Sequence, residues 1–311
     1  MRRPHDWDPK GSWRLAIAVG GVSTSAPILR WAGGPPLVVA AGRMLLAFLL
    51  VLPGALALWR RQGIRGLGID RRVGWPMALA TVFLTLHFGT WTASVYLTSI
   101  ASSVVLVNAT PILVLAGEAL LWHRATSGRQ WLGASFALVG IAVMAGFDGL
   151  TAGPKALDGD LLALAGAATY AVYVMASARV RTQVSTPVQV AVLYGGCFAG
   201  LGTATLIADQ AWRAPQTDPR MWVAFALLAL LPTTLGHTMV QSILDRVRPA
   251  VIAIALLGEP VGASILAWLA LGQKPALVDV LGGLLTLVGI AWALWPGRVP
   301  APVPNPAAQA R

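Results

Sequence analysis

Charged residues are scarce in this sequence, and acidic ones are the scarcest. Asp, Glu, Lys and Arg make up 11% of the 311 residues and only 12 residues are acidic, whereas 56% are hydrophobic. A chain of this composition cannot cover a folded surface with enough polar groups for water, so a soluble globular protein is excluded. We therefore expect the lipid bilayer to be its solvent.

Cysteine and the common catalytic motifs are also missing. The only cysteine is Cys197, which excludes a disulfide within the chain and a cysteine metal cluster. The sequence contains no Gly-x-x-x-x-Gly-Lys-Ser/Thr, no His-Glu-x-x-His and no Gly-x-Ser-x-Gly. We therefore predict no enzyme, no cofactor, no bound metal and no ATP-driven pump.

What the sequence does contain is long apolar segments. With about 20 apolar residues for one helical crossing, they predict an all-α membrane protein with ten transmembrane helices. The predicted spans are residues 13–31, 36–59, 75–97, 99–122, 131–147, 159–179, 188–208, 221–243, 249–271 and 277–295.

Basic residues lie mainly on one side of these spans. The net charge of +11 would suggest nucleic-acid binding in a soluble protein, but 17 of the 23 Lys and Arg residues fall at alternate span ends and loops. The other side has five: Arg30, Lys155, Arg213, Arg220 and Lys274. The positive-inside rule then predicts both termini in the cytoplasm and no nucleic-acid partner, and it places the acidic loop around Asp148 and Asp158 outside.

The chain also repeats itself. Pro111 to Ala142 aligns without a gap on Pro260 to Ala291, and both copies contain Leu-Val-Gly-Ile-Ala. A fixed register that aligns two intramembrane prolines indicates a fused duplication. Five spans per copy predict two inverted-topology repeats, 13–147 and 159–295, followed by a disordered cytoplasmic tail at 296–311.

Three further strings resemble the EamA-like family of the drug/metabolite transporter superfamily. They are Gly159-Asp160-Leu161-Leu162-Ala163-Leu164, Leu231-Pro232-Thr233-Thr234-Leu235-Gly236-His237 and Gly258-Glu259-Pro260-Val261. The resemblance implies two intertwined inverted halves, a central cavity lined largely by spans 1, 3, 4, 6, 8 and 9, and export of small metabolites. Where family members often have Gly-Glu-Arg, this chain has His123-Arg124-Ala125 and Gly272-Gln273-Lys274.

The candidate site residues lie near the middle of the membrane. Pro111 and Pro260 each remove a backbone donor and are predicted to break their helices, either as bending points at the cavity or as static kinks. Glu259 lies about 15 Å deep at about 1.5 Å per helical residue. We expect it to line the substrate pathway and to bind a cationic substrate group or carry a coupled proton. A neutral carboxyl bonded to a neighbouring helix is the alternative.

Polar and aromatic residues of other spans complete the predicted pathway. They are His87 and Trp91 in the third span, Asn108 in the fourth, Tyr170 and Tyr173 in the sixth, and His237 and Gln241 in the eighth. A structural role in packing is the alternative for each. Arg43 is expected to have a structural role within reach of the external interface, with pairing to Glu118 left open, and Glu118 itself is expected to reach the cytoplasmic interface.

The start of the chain has a second interpretation. Met1 to Arg3, an apolar stretch and Ser23 to Ala26 also resemble a cleaved signal peptide. Its removal would leave four spans in one half and five in the other, so we expect the segment to be a span.

These patterns favour a secondary transporter in the cytoplasmic membrane that exports amino acids or related small metabolites by alternating access. Its partners would be the lipid bilayer and a small-molecule metabolite, with proton coupling through Glu259 and a monomeric or homodimeric state left open. A channel or a scaffold without coupled transport is the alternative.

Reporter fusions test this topology. We expect fluorescent-protein fusions at residue 1 and at residue 311 to be active in the cytoplasm, and a periplasmic phosphatase fused near residue 150 to be active outside, because the basic loops remain in the cytoplasm. A phosphatase signal at only one of the two ends would contradict the even number of spans.

Overall fold

The computed structural model describes residues 12–146, 154–210 and 218–295, and these ranges contain helices and no strands. Nine segments within them are long and apolar enough to cross a membrane: Trp13–Ala32, Pro36–Ile64, Arg71–Leu97, Ile100–Leu120, Ala156–Val180, Thr186–Ile207, Pro219–Ile243, Pro249–Leu269 and Leu277–Leu294. The predicted tail at 296–311, Asp148 and the chain ends lie outside the described residues. The prediction of a helical membrane protein is confirmed.

The helix Gly128–Ala145 supplies the remaining predicted span. It is not among the nine because Arg129 and Gln130 in its first turn lower its average hydropathy. Ser127 caps its first turn: the Ser127 hydroxyl accepts from the Gln130 backbone N–H, and the Gln130 side chain accepts from the Ser127 backbone N–H. We number this helix as the fifth span and Leu277–Leu294 as the tenth.

Packing between the spans joins the two halves of the chain throughout. The third span packs along the sixth and the first along the eighth, while the second packs along the seventh and the fifth along the tenth. Each of these pairs takes one member from either half. The halves are therefore intertwined, and neither forms a separate helical bundle.

Glycines at duplicated positions bring the fifth and tenth spans together. A Cβ atom placed on Gly133 would lie 2.6 Å from the Gly289 carbonyl oxygen, and one on Gly140 would lie 2.6 Å from that of Gly282. Small residues allow such close backbone approach between helices in a membrane. Because the start of one helix meets the end of the other, these two helices run in opposite directions.

Two of the spans are interrupted at equivalent points. The fourth consists of Ile100–Val107 and Thr110–Leu120, and the ninth of Pro249–Leu256 and Glu259–Leu271. Pro111 and Pro260 each lie in the first turn after the break, where a missing backbone N–H is tolerated. The predicted helix breaks are thus present.

The eighth span is distorted in another way. Residues Ala229–Thr238 form a π-helical segment that contains Pro232. The hydroxyls of Thr233 and Thr234 donate to carbonyls five residues earlier, at 2.7 and 2.8 Å, which suits the wider turn. Such segments are frequent at functional sites, and this one contains His237.

Substitution of Gly140 tests the close contact of the fifth and tenth spans. We expect Gly140→Ala to lower the free energy of unfolding by about 1–3 kcal/mol, because the added methyl group meets backbone that cannot easily move. Thermal unfolding of the purified protein in detergent measures the effect. Gly128→Ala is the control, because nothing lies within 4 Å of a Cβ at that position. Equal melting temperatures for the two variants would contradict the contact.

Candidate functional site

A central cavity lies beside the interruptions of the fourth and ninth spans. It has a volume of about 60 Å³ and is lined by residues of spans 1, 3, 4, 6, 8 and 9. Its polar and aromatic lining residues are Ser25, His87, Trp91, Asn108, Thr110, Tyr170, His237 and Glu259, and Pro111 lies beside them. The chain thus brings seven of the predicted site residues to one cavity: His87, Trp91, Asn108, Pro111, Tyr170, His237 and Glu259.

Rings from three spans form much of the cavity wall. The His87 ring is parallel to Trp91, with centroids 6.0 Å apart, and lies 4.8 Å from Tyr170. His237 is 6.3 Å from His87 and 5.7 Å from Tyr170. The His87 Nδ1–H donates to the Gly166 carbonyl oxygen at 2.9 Å, which fixes the ring against the sixth span. The wall is therefore an ordered aromatic surface.

Two polar atoms of this wall have no hydrogen-bond partner in the described part of the chain. They are Nε1 of Trp91 and Nδ1 of His237, on side chains that are 5% and 6% exposed. Buried polar atoms are nearly always paired, so an unpaired one calls for a specific explanation. An indole N–H is only a donor. A bound molecule with an acceptor group is one partner that would satisfy it.

Glu259 has no hydrogen-bond donor on its carboxylate among the described residues, and it lines both the central cavity and a second one. Its counterpart Thr110 is bonded: the Thr110 hydroxyl lies 2.8 Å from the Val107 carbonyl oxygen and 3.3 Å from that of Ala167. The first bond supplies the donor that Pro111 removes from the fourth span. A carboxyl group can carry a charge and a threonine hydroxyl cannot, so the two halves differ chemically at this point.

Arg43 corrects a prediction. It does not reach the interface, because its side chain is fully buried beside the cavity. Its Nε donates to the Thr233 hydroxyl at 2.6 Å, its Nη1 to the Ser25 hydroxyl at 3.4 Å, and its guanidinium lies 4.3 Å from the centre of the Phe88 ring. The suggested partner Glu118 bonds elsewhere.

Three predicted residues lie outside the central cavity. Gln241 Nε2 lies 2.5 Å from the Tyr173 hydroxyl oxygen, and Gln241 Oε1 accepts from Gln189 at 3.0 Å. Tyr173 and Gln241 are thus fully buried behind the wall, where their polar groups satisfy each other. Pro260 lines the second cavity. Helical periodicity predicted the side of each span that faces the cavity. It could not show whether a residue lines the cavity or lies behind its wall.

Sequence reasoning also missed a buried ion pair between the halves. Glu118 is fully buried, and its carboxylate accepts from the Arg248 guanidinium and, at 3.1 Å, from the Ala250 backbone N–H. The expectation that Glu118 reaches the interface was wrong. The partner lies 130 residues away, so no local spacing indicated it.

A second ion pair lies at the same membrane face. Arg181, at the end of the sixth span, is 3.4 Å from Asp245, which follows the eighth span. Burial lowers the pKa of Arg181, and the charge of Asp245 opposes that shift. Together with Glu118 and Arg248, these contacts tie four spans at what we call the basic face, because most Lys and Arg residues lie there.

Comparison with known proteins agrees with this arrangement. The EamA-like transporter family matches residues 10–146 and again residues 157–295. The chain belongs to the EamA-like transporter family. That family is part of the drug/metabolite transporter superfamily, so the resemblance drawn from the sequence is confirmed. The protein is a multi-pass transporter of small molecules, which agrees with the lack of catalytic motifs.

Two individual proteins are similar to this EamA-like transporter. The uncharacterized transporter YdfC of Bacillus subtilis is 23% identical over 218 residues, which cover 70% of this chain and 68% of YdfC. A crystal structure of another protein matches with a TM-score of 0.75 at 21% identity, covering 92% of this chain and 97% of that one. The second likeness shows the fold alone.

Substitution of Glu118 tests how much the Glu118–Arg248 pair stabilises this transporter. We expect Glu118→Gln to lower the free energy of unfolding by about 3 kcal/mol, because the largely buried Arg248 guanidinium then loses the Glu118 charge that it faces. The double variant Glu118→Gln with Arg248→Met should recover part of this loss. Thermal unfolding of Glu118→Gln, Arg248→Met and the double variant in detergent gives the comparison. A double variant that loses the sum of both single losses would show that the two side chains act independently.

Proposed function

We propose that this protein is a secondary transporter of the cytoplasmic membrane that exports amino acids or closely related metabolites by alternating access. Its two repeats have inverted topology and both termini are cytoplasmic. The observation that carries the substrate class is the polarity of the central cavity. Glu259 offers a carboxylate, while Trp91 and His237 offer ring nitrogens that lack partners.

A zwitterion satisfies both kinds of group. An ammonium placed at Glu259 supplies the donors that this carboxylate lacks, and an acceptor such as a carboxylate satisfies the Trp91 N–H. Beside the cavity, Arg43 holds a further buried N–H donor that has no partner in the described part of the chain. An acidic residue in the cavity wall and a buried arginine beside the cavity favour a cargo that carries both charges. His87, Asn108 and Tyr170 orient it.

The same carboxylate offers a route to energy coupling. A carboxylate in a water-poor site binds either a proton or a cationic group, because both neutralise the same buried charge. We propose that the two compete at Glu259, so that proton entry displaces cargo. Thr110 at the duplicated position is neutral, so the first repeat has no such group there. Pro111 and Pro260 supply the bending points at which the cavity changes its access.

Transport measurements on Glu259 variants test this proposal. We expect the purified protein in liposomes to show saturable flux of amino acids that is stimulated by a proton gradient. Glu259→Gln should reduce this flux at least about tenfold, equivalent to about 1.4 kcal/mol, and abolish the gradient dependence. Asp158→Asn is the matched control, since Asp158 is an exposed carboxylate at the start of the sixth span.

Two outcomes would contradict the proposal. Undiminished and equally gradient-dependent flux in Glu259→Gln would remove Glu259 from the pathway. Flux that rises linearly with amino-acid concentration, with no saturation, would favour a channel.

A further inference from the structure

A second cavity, which we call the side cavity, adjoins the central cavity at Glu259. It has a volume of about 340 Å³ and lies among the first, fourth, fifth, ninth and tenth spans. The central cavity, at about 60 Å³, has room for roughly four waters at about 15 Å³ each. Small-molecule sites usually occupy about 300–1,000 Å³. A metabolite that reaches Glu259 in this conformation therefore needs the side cavity for most of its volume.

The side cavity runs from one membrane face towards the middle of the bilayer. Three of its lining residues lie at helix ends: Ile100 begins the fourth span, Ala145 ends the fifth, and Asp279 lies in the first turn of the tenth. The basic face is at the other end of the fourth span, next to Glu118. The side cavity thus opens away from the ion pairs and ends at Glu259.

The wall of the side cavity is mostly hydrocarbon. Ala26, Ala101, Val104, Met144 and Ala263 are among its residues, and none of the described residues that line it is Lys, Arg or His. Its two charged residues are Glu259 and Asp279, of which Asp279 already accepts from the Ala276 backbone N–H at 2.8 Å. The Ser23 hydroxyl is also engaged, at 2.9 Å from the Glu259 backbone oxygen. Of these two charged side chains, Glu259 is the one whose carboxylate has no hydrogen bond within the described residues.

We propose that the side cavity is the subsite for the apolar side chain of a zwitterionic cargo. In this arrangement, the ammonium group binds Glu259 at the junction of the two cavities. The carboxylate lies in the central cavity, where Trp91 and His237 have unpaired nitrogens on side chains more than nine-tenths buried. The proposal rests on the proposed amino-acid transport. It adds a selectivity, because amino acids with aliphatic side chains are favoured over glycine.

Cysteine labelling tests this subsite without depending on transport. Cys197 is the only cysteine and is buried, so Cys197→Ser gives a background without thiols. Ala263→Cys then places one thiol in the side cavity, and Ile265→Cys, on the same helix with a side chain 47% exposed on the outer surface of the bundle, is the control. The probes are membrane-impermeant methanethiosulfonates carrying a trimethylammonium or a sulfonate group.

We expect the trimethylammonium reagent to label Ala263→Cys from the face opposite the basic face, several-fold faster than the sulfonate reagent. Glu259→Gln should reduce this difference, because it removes the deeper negative charge. Leucine should slow the labelling several-fold more than glycine at equal concentration. The thiol of Ile265→Cys should not react with either impermeant reagent.

Two labelling results would overturn the proposal. Failure of both reagents to reach Ala263→Cys from the opposite face, or equal protection by leucine and glycine, would show that the side cavity does not hold the cargo side chain. If leucine is transported but does not slow the labelling, this inference fails while the proposed function stands. If no amino acid is transported or protects, the proposed function fails with it.

A larger side chain at position 263 provides a second test of the side cavity. Ala263→Phe fills part of the side cavity, so we expect leucine to compete at least about tenfold less well for transport, a change of about 1.4 kcal/mol, while transport of alanine remains. Equal losses for leucine and alanine would indicate general damage to the site and count against a side-chain subsite.

Discussion

The need to satisfy every backbone polar group in lipid governs the centre of this protein. A proline inside a membrane helix leaves a carbonyl oxygen without its usual donor, and water is not there to replace it. In the fourth span the Thr110 hydroxyl supplies that donor to Val107. In the ninth span the equivalent position holds Glu259, whose carboxylate faces two cavities. The interruption that costs backbone bonding is also what makes room for a charged group at mid-membrane.

The intertwined packing explains why neither half could form the site alone. His87 and Asn108 come from the first half, whereas Tyr170, His237 and Glu259 come from the second. Arg43 links the halves again, since it reaches from the second span to Thr233 in the eighth. A change in the relative position of the halves would therefore alter the cavity as a whole. Two-repeat transporters generally have their site at the interface of the repeats.

Much of this arrangement could be predicted from the sequence, because the bilayer restricts the choices. Apolar length gave the spans, and the alignment of Pro111 with Pro260 gave both breaks at their observed positions. Helical periodicity and depth in the membrane predicted one shared pathway for His87, Trp91, Tyr170, His237 and Glu259. In the structure these five residues line one cavity. The errors concern distant partners: Arg43 bonds Thr233 rather than approaching water, and Glu118 pairs with Arg248. Those partners depend on which spans become neighbours, and local spacing does not contain that information.

The glycine contact between the fifth and tenth spans limits how far the two copies of this helix can diverge in sequence. Gly133 meets Gly289 and Gly140 meets Gly282, so each copy of the duplicated helix provides the groove that its counterpart occupies. Added bulk in one copy must be accommodated by the other, and the reverse holds equally. Thr110 and Glu259 are under no such reciprocal restriction. The scaffold can thus keep its twofold character while the chemistry at its centre differs between the two halves.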